Sequence, residues 1–375
     1  MAANFVERAV PGVQSLKPYE AGKPISELQR ELGLDDIVKL ASNENPMGPS
    51  PRAQTAMQEA LKDLALYPDG NGFDLKRALC DKHGVKPEEI TLGTGSDHIL
   101  ELIARVFLGE GRSAVFSQYG FAIYAIVSQA AGAELRVADA LPKDHPEMPY
   151  GHDLSAMAEK INDTTRVVFI ANPNNPTGTW INRQDMEAFL DKVPENVLVV
   201  LDEAYYEYVE EAEYPDGQKL LAKYPNLLVM RTFSKAYGLA GIRVGYALAS
   251  AEITDLLNRV RLAFHPNTLG QVAATAALGD EAHIRKSVDM NREELAKMQA
   301  GLKQRGYETI PSVCNFVTVD AREPGREVFQ KLLKQGVIVR PLDGYGLPNH
   351  VRVSVGLPEE NQRFFDAFDA VMGSQ

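Results

Sequence analysis

Cysteine is nearly absent from this 375-residue chain: Cys80 and Cys314 stand far apart and in no metal-ligand spacing. That excludes a disulfide framework and a cysteine metal site, leaves no metal expected, and suits a reducing compartment. Long apolar runs are missing too, none approaching the ~20 residues that span a bilayer. The opening stretch MAANFVERAVPGVQSLKPYE lacks the cationic segment and apolar core of a secretory signal. Positive charge is in deficit, with 39 Lys and Arg against 51 Asp and Glu and a net charge of -12. A polyanion-binding surface, and so a nucleic-acid partner, is not expected. What is present is an ordinary globular composition, long enough for a large core and two domains. The expectation is a soluble cytoplasmic protein that binds neither membrane nor nucleic acid.

Beyond residue 90 the chain alternates short β-branched runs with amphipathic segments. Strands are expected at EITLGTG, SAVFSQ, AELRVAD, TRVVFIAN, NVLVVLDEA, NLLVMRTF and IRVGYALA. Helices fall between them at 97–108, 121–132 and 183–193, where apolar residues recur every three or four positions. Such alternation means an α/β fold, a large domain with a mostly parallel sheet flanked by helices. The character changes after residue 280. A long, heavily charged helix leads into shorter strands, NFVTVDA, VIVRPL and HVRVSVG, which read as a smaller α+β domain. The expected division is an N-terminal arm, 1–40, associated with the small domain; a large domain, 41–280; and a small C-terminal domain, 281–375.

Four polar clusters follow strands of the large domain, where open parallel sheets place their ligands. GTGSD (93–97) opens a helix with Gly95, Ser96 and Asp97, so its N–H groups can receive a phosphate. It matches neither the dinucleotide fingerprint nor a P-loop, and an ordinary capped turn accounts for it equally well. NPNNPTG (172–178) is either a rigid loop braced by its own asparagines or a turn that aims Asn175 into a cleft. In DEAYYEY, Asp202 leaves an apolar strand and needs a cationic or N–H partner. Tyr205 lies close enough to reach the same ligand, Glu203 alternates to the other side as a surface or supporting group, and Tyr206 and Tyr208 read as packing.

The fourth cluster, SKAYG (234–238), contains Lys235. Alone it reads as a surface turn. Beside a helix-start phosphate site, a buried carboxylate, a tyrosine and an asparagine, it completes the parts required by pyridoxal phosphate. A lysine amine condenses with the cofactor aldehyde, and an acid keeps the pyridine nitrogen protonated so that the ring accepts electrons. Ser234 and Arg243 add a hydroxyl and a permanent charge for the cofactor phosphate. Asn175 and Tyr205 suit the ring's phenolic oxygen, and Tyr119, after SAVFSQ, can stack on the ring.

NPNNPTG, DEAYYEY and TFSKAYGLAGIRVGY, in this order and spacing, resemble the fold-type I aminotransferases over almost the whole chain. More narrowly, LKPYEAGKPISEL, KLASNENPMGPSP (39–51), LYPDG (66–70), LGTGSDHILELI (92–103) and GVIVRPLDGYGLPNHVRVSVGLPEEN resemble the histidinol-phosphate aminotransferase family. The resemblance implies a pyridoxal 5'-phosphate enzyme of histidine biosynthesis and an obligate homodimer, in which Tyr67 reaches the neighbouring subunit's cofactor phosphate. It implies that Arg352 holds the acid group of the substrate, and that Arg340 and Tyr19 attend the phosphate of histidinol phosphate. Asn43 and Thr232 join the substrate and cofactor sets on the same basis. From spacing alone, Arg340 and Arg352 are equally solvated strand-end charges.

The implied reaction passes the amino group of L-histidinol phosphate to 2-oxoglutarate, with Lys235 as general base and then acid. Threonine-phosphate decarboxylation and aromatic amino acid transamination would use the same cofactor residues. The aminotransferase-like part of a transcription regulator would need a basic DNA-binding segment, and none is evident.

Overall fold

The computed structural model describes residues 4–373. Thirteen strands are found among them. They are β1 Val38–Lys39, β2 Ile90–Gly93, β3 Ser113–Ser117, β4 Glu134–Ala138, β5 Thr165–Ala171, β6 Leu198–Asp202, β7 Leu227–Thr232, β8 Gly245–Leu248, β9 Thr309–Ile310, β10 Phe316–Asp320, β11 Val337–Ile338, β12 Arg340–Pro341 and β13 His350–Ser354. Seven form one sheet in the order β2-β8-β7-β6-β5-β3-β4. Its pairs are parallel except those made by β8, which runs antiparallel to both neighbours.

The central strands are buried on both faces, so they read as unbroken apolar runs rather than alternating ones. Val199, Val200 and Leu201 are all 0% exposed. Val200, Leu228 and Met230 pack into the layer under the helix Ser96–Phe107, while Val199, Leu201 and Val229 pack against the helix Arg183–Leu190 on the other face. Helices cover the sheet on both sides, and every strand expected from β2 to β8 is present.

A second sheet, antiparallel, has the order β12-β13-β10-β9. The run VIVRPL departs from the single strand expected of it. Its first half, β11, pairs in parallel with β1 near the chain start, and its second half, β12, pairs with β13. Two residues suffice for each because the segment serves two neighbours in turn. The 24-residue helix Glu281–Gln304 reaches from one sheet toward the other. Met298 and Leu302 lie in the core of the antiparallel sheet, while Ser287 accepts a hydrogen bond from Asn45 at 3.0 Å.

Candidate active site

A cavity of about 290 Å³ opens at the C-terminal ends of β5, β6 and β7, against the antiparallel sheet. Each strand ends by releasing a polar residue where its hydrogen-bonded ladder stops. Asp202 is the last residue of β6 and only 5% exposed. Its Oδ2 accepts from the Tyr124 hydroxyl at 2.8 Å, and its Oδ1 from the Ala204 N–H at 3.2 Å. Burial raises its pKa to about 6, against the opposing pull of those two donors and of Lys235. Among the described residues no cation bonds to it.

Lys235 follows β7 and is partly buried; its Nζ donates to the Ser42 carbonyl at 2.9 Å. Desolvation and then the Arg352 charge bring its pKa down to about 8, with Arg243 adding to the decrease and Glu44 opposing it. An amine so placed is a far better base and nucleophile near neutral pH than an exposed lysine.

The helix Ser96–Phe107 begins at the cavity wall. Its cap, Gly95, has φ 84°, and a side chain there would strike the Arg243 guanidinium. Arg243 donates to Ser234 Oγ at 3.2 Å and to Asp97 Oδ1 at 2.9 Å, and the Thr232 hydroxyl donates to Ser234 Oγ at 3.1 Å. The helix start, two hydroxyls and one guanidinium therefore converge. Such a cup receives a phosphate well.

In the NPNNPTG loop the two adjacent asparagines divide the work. Asn174 braces the loop, donating to the Tyr119 carbonyl at 2.9 Å and to Thr177 at 2.8 Å. Asn175 lines the cavity, and its Oδ1 accepts from Arg352. Arg352 is 5% exposed and also donates to the Ala41 carbonyl at 2.6 Å, so it is no solvated strand-end charge. Across β12 and β13 it is paired with Arg340, whose guanidinium lies 5.4 Å from the Tyr19 ring centre. Asn43, in a left-handed backbone (φ 57°), donates to the Tyr205 hydroxyl at 2.8 Å. Tyr205 is 3% exposed and its ring centre is 5.7 Å from Lys235 Nζ. Lys235, Arg243, Arg340 and Arg352 line the cavity against Asp97 and Asp202. In a chain of net charge -12 this is a local excess of positive charge, suited to anionic ligands.

Three expectations are corrected or left outside. Tyr119 does not line the cavity; Phe121 does. The turn closed by Gly120 N–H on the Ser117 carbonyl carries Tyr119 aside, edge-on to Tyr150, before the helix starts at Ala122. Tyr67, expected at a neighbouring subunit's site, does not line this chain's own cavity. It is 80% exposed and stacked on Phe264 at 4.4 Å. Glu203 is no surface group, being 0% exposed and paired with buried Arg231 at 2.8 Å, on whose guanidinium the Tyr206 ring stacks at 3.5 Å. The sequence pattern does not single out Tyr124, Phe121, Ser42 or Ser354. Tyr124 sits in an apolar helix where a tyrosine reads as core, and only its distance to Asp202 reveals its role. Ser354, whose hydroxyl bonds both the N–H and the Oδ1 of Asn43, gives no sequence signal.

A large mostly parallel sheet, a small antiparallel one, and a lysine, a buried aspartate and an anion cup in the cleft define a class of enzyme. The chain belongs to the class I and II aminotransferases, whose family model matches residues 35–368. Among its relatives, a histidinol-phosphate aminotransferase 2 of Pseudomonas fluorescens is 53% identical over 374 residues, covering 99% of each chain. Another so named, from Methylococcus capsulatus, is 53% identical over 97% of this chain and 98% of its own. The crystal structure of histidinol-phosphate aminotransferase from Sinorhizobium meliloti in complex with pyridoxal-5'-phosphate superposes with a TM-score of 0.89 at 29% identity, covering 99% of this chain and 98% of that one.

Proposed function

We propose that this aminotransferase passes the amino group of L-histidinol phosphate to 2-oxoglutarate, giving imidazole-acetol phosphate and glutamate, with pyridoxal 5'-phosphate as cofactor. The observation that carries the reading is a pair of separate cationic sites in one cavity. Arg243 with the helix start makes one, and Arg340 with Arg352 makes the other. The first suits the cofactor phosphate and the second the anionic end of a substrate.

The residues fit the cofactor. Asp202, buried and without a bonded cation among the described residues, is the group that a protonated pyridine nitrogen would satisfy. Gly95, Ser96, Asp97, Thr232, Ser234 and Arg243 would hold its phosphate end; Asn175 and Tyr205 would flank the ring. When bound, pyridoxal phosphate supplies an aldehyde for the amine and an electron sink for the bond broken at the substrate's Cα. The protein does the rest. Lys235 Nζ takes the Cα proton and returns it on the other side of the exchange. Tyr124 holds Asp202 in line and its burial keeps water from that carboxylate. Arg352 and Asn175 orient the acid group of glutamate or 2-oxoglutarate. Arg340, Tyr19 and Asn43 orient the donor, and one arginine site serving phosphate and carboxylate explains how both substrates use a single cleft.

The homodimer belongs to the same reading. Leu66 (70% exposed), Tyr67 (80%), Phe73 (66%) and Leu262 (55%) are large apolar groups left open to water, and they support a second copy as their cover. Tyr67 would then reach the partner's cofactor phosphate. A functional division into the arm 1–40, a cofactor-binding unit 41–280 and a small unit 281–375 accords with the β1–β11 pairing. Two unpaired cysteines accord with a cytoplasmic enzyme, and no helix among the described residues is long and apolar enough to cross a membrane.

The test is to incubate the purified holoenzyme with histidinol phosphate, threonine phosphate or phenylalanine plus 2-oxoglutarate. Glutamate formed fastest with histidinol phosphate, without release of carbon dioxide, is the expected result. Carbon dioxide from threonine phosphate, or a preference for phenylalanine, would replace this reading.

A further inference from the structure

Tyr119, displaced from the cofactor cavity, stands at one end of a chain of rings that joins the two sheets. Its ring meets Tyr150 edge-on, centres 5.6 Å apart at 76°. Tyr150 meets His350 the same way, at 5.5 Å and 78°. These are the separations and angles that aromatic pairs favour. Tyr119 and Tyr150 come from loops of the parallel-sheet unit, and His350 opens β13 of the antiparallel sheet. Tyr150 holds a left-handed backbone (φ 61°), uncommon for a bulky residue and retained only where surroundings impose it.

A second contact runs alongside. Lys143 pairs with Asp320 at 3.0 Å, and Asp320 is the direct cross-strand neighbour of His350. Gly346, in the turn leading into β13, lies against the Tyr119 ring. Everything at this seam bears on β13, two residues before Arg352. Side chains two apart on a strand share a face. His350 and Arg352 therefore point the same way, His350 to the rings and Arg352 to Asn175.

We propose that the Tyr119–Tyr150–His350 ring chain is a positioning device that holds Arg352 in register with Asn175, and so sets affinity for the acid end of the substrate. The inference rests on reading Arg352 as the residue that receives that acid group. None of the three rings lines the cavity, so they act through Arg352 and not on the substrate. His350 is 6% exposed and its Nδ1 has no hydrogen-bond partner among the described residues. Burial favours its neutral form and lowers its pKa; Asp320 opposes this shift and Lys143 reinforces it, while Tyr150 faces it with a ring edge. The neutral, packed state therefore persists below the ordinary histidine pKa and is lost only as pH falls through the lowered one.

The experiment measures binding of maleate, an unreactive dicarboxylate, to the holoenzyme by calorimetry. His350→Ala and Tyr150→Ala should each weaken maleate roughly three- to tenfold, the size expected for an edge-on ring pair. The KM for 2-oxoglutarate should rise with it while kcat stays near the parent value. His350→Phe keeps a ring and removes the ionisation. It should restore maleate affinity and remove the part of the decline below about pH 6.5 that exceeds maleate's own protonation. Arg352→Gln is the control, and should weaken maleate more than any ring variant. If the ring variants lower the melting temperature but leave maleate binding unchanged, the seam is structural only and the proposal fails. If Arg352→Gln itself leaves maleate unchanged, the acid-group reading of Arg352 fails and the positioning role goes with it.

Discussion

The two ends of the cavity are built differently. The cofactor end stands on the parallel sheet. Asp202, Thr232 and the helix start at Ser96 extend directly from β6, β7 and β2; Asp202 accepts from the buried Tyr124 hydroxyl at 2.8 Å and from the Ala204 N–H at 3.2 Å, and Thr232 donates to buried Ser234 at 3.1 Å. The substrate end is assembled from distant pieces: Tyr19 from the N-terminal arm, Arg340 from a two-residue strand, Arg352 from β13 and Asn175 from a loop of the other unit. Tyr19 is 45% exposed, and Arg340 touches its ring without an ion pair among the described residues. A rigid end suits a group that stays bound through every turnover. An end assembled from several elements suits two substrates that must enter and leave in turn.

This contrast can be broken most severely at Lys235. Lys235→Ala should abolish turnover and the covalent attachment of pyridoxal phosphate, seen by mass spectrometry after borohydride reduction. Attachment at a different lysine would displace the assignment.

Next in size is Asp202. Asp202→Ala should lower kcat/KM about a thousandfold, equivalent to ~4 kcal/mol of transition-state stabilisation. Steady-state rates near the parent value would remove the carboxylate from the chemistry.

At the other end the effects should be selective rather than total. Arg340→Ala should reduce kcat/KM for histidinol phosphate about ten- to a hundredfold, from a lost charge-assisted bond of roughly 1.5–3 kcal/mol. Phenylalanine, which has no phosphate, should be far less affected, and the absorbance of the resting enzyme should not change. Equal losses with both donors would make Arg340 a general or structural residue and erase the distinction between the ends.

The last effect is on stability rather than turnover and concerns Asp202 itself. Burial raises the pKa of Asp202 from 3.8 to about 6 in the folded chain. The group therefore favours folding fully below its unfolded pKa, and that contribution is lost as pH rises through about 6. In cofactor-free protein, Asp202→Asn should be more stable than the parent above pH 6, by up to about 3 kcal/mol. The gap should close toward pH 4. Thermal unfolding of the two proteins across this range checks it, and a gap that widens toward low pH would contradict the sign.

The same contrast governs what could be read beforehand. Strands β3, β5, β6 and β7 announce themselves because parallel strands buried on both faces must be continuous apolar runs. The residue that ends each run is then the one that reaches the ligand. Asp202, Lys235 and the GTGSD turn were legible for this reason: local sequence and position in the sheet are one fact there. For Glu203 the same local rule left a surface and a supporting role open, and burial removes the first. Alternation turned it away from the cavity correctly, but nothing nearby shows that Arg231, 28 residues on, is buried opposite it.

By itself, then, the sequence determined the order of the elements, the α/β character and the cofactor end, since hydrophobic periodicity and strand-end chemistry act over a few residues. Only the tertiary structure decided which aromatic faces the cavity, Phe121 rather than Tyr119, because one turn's direction lies below what periodicity records. It also decided that VIVRPL splits between two sheets and that Tyr124 bonds Asp202 across 78 residues. Packing determines such contacts collectively, and no stretch of chain contains both partners.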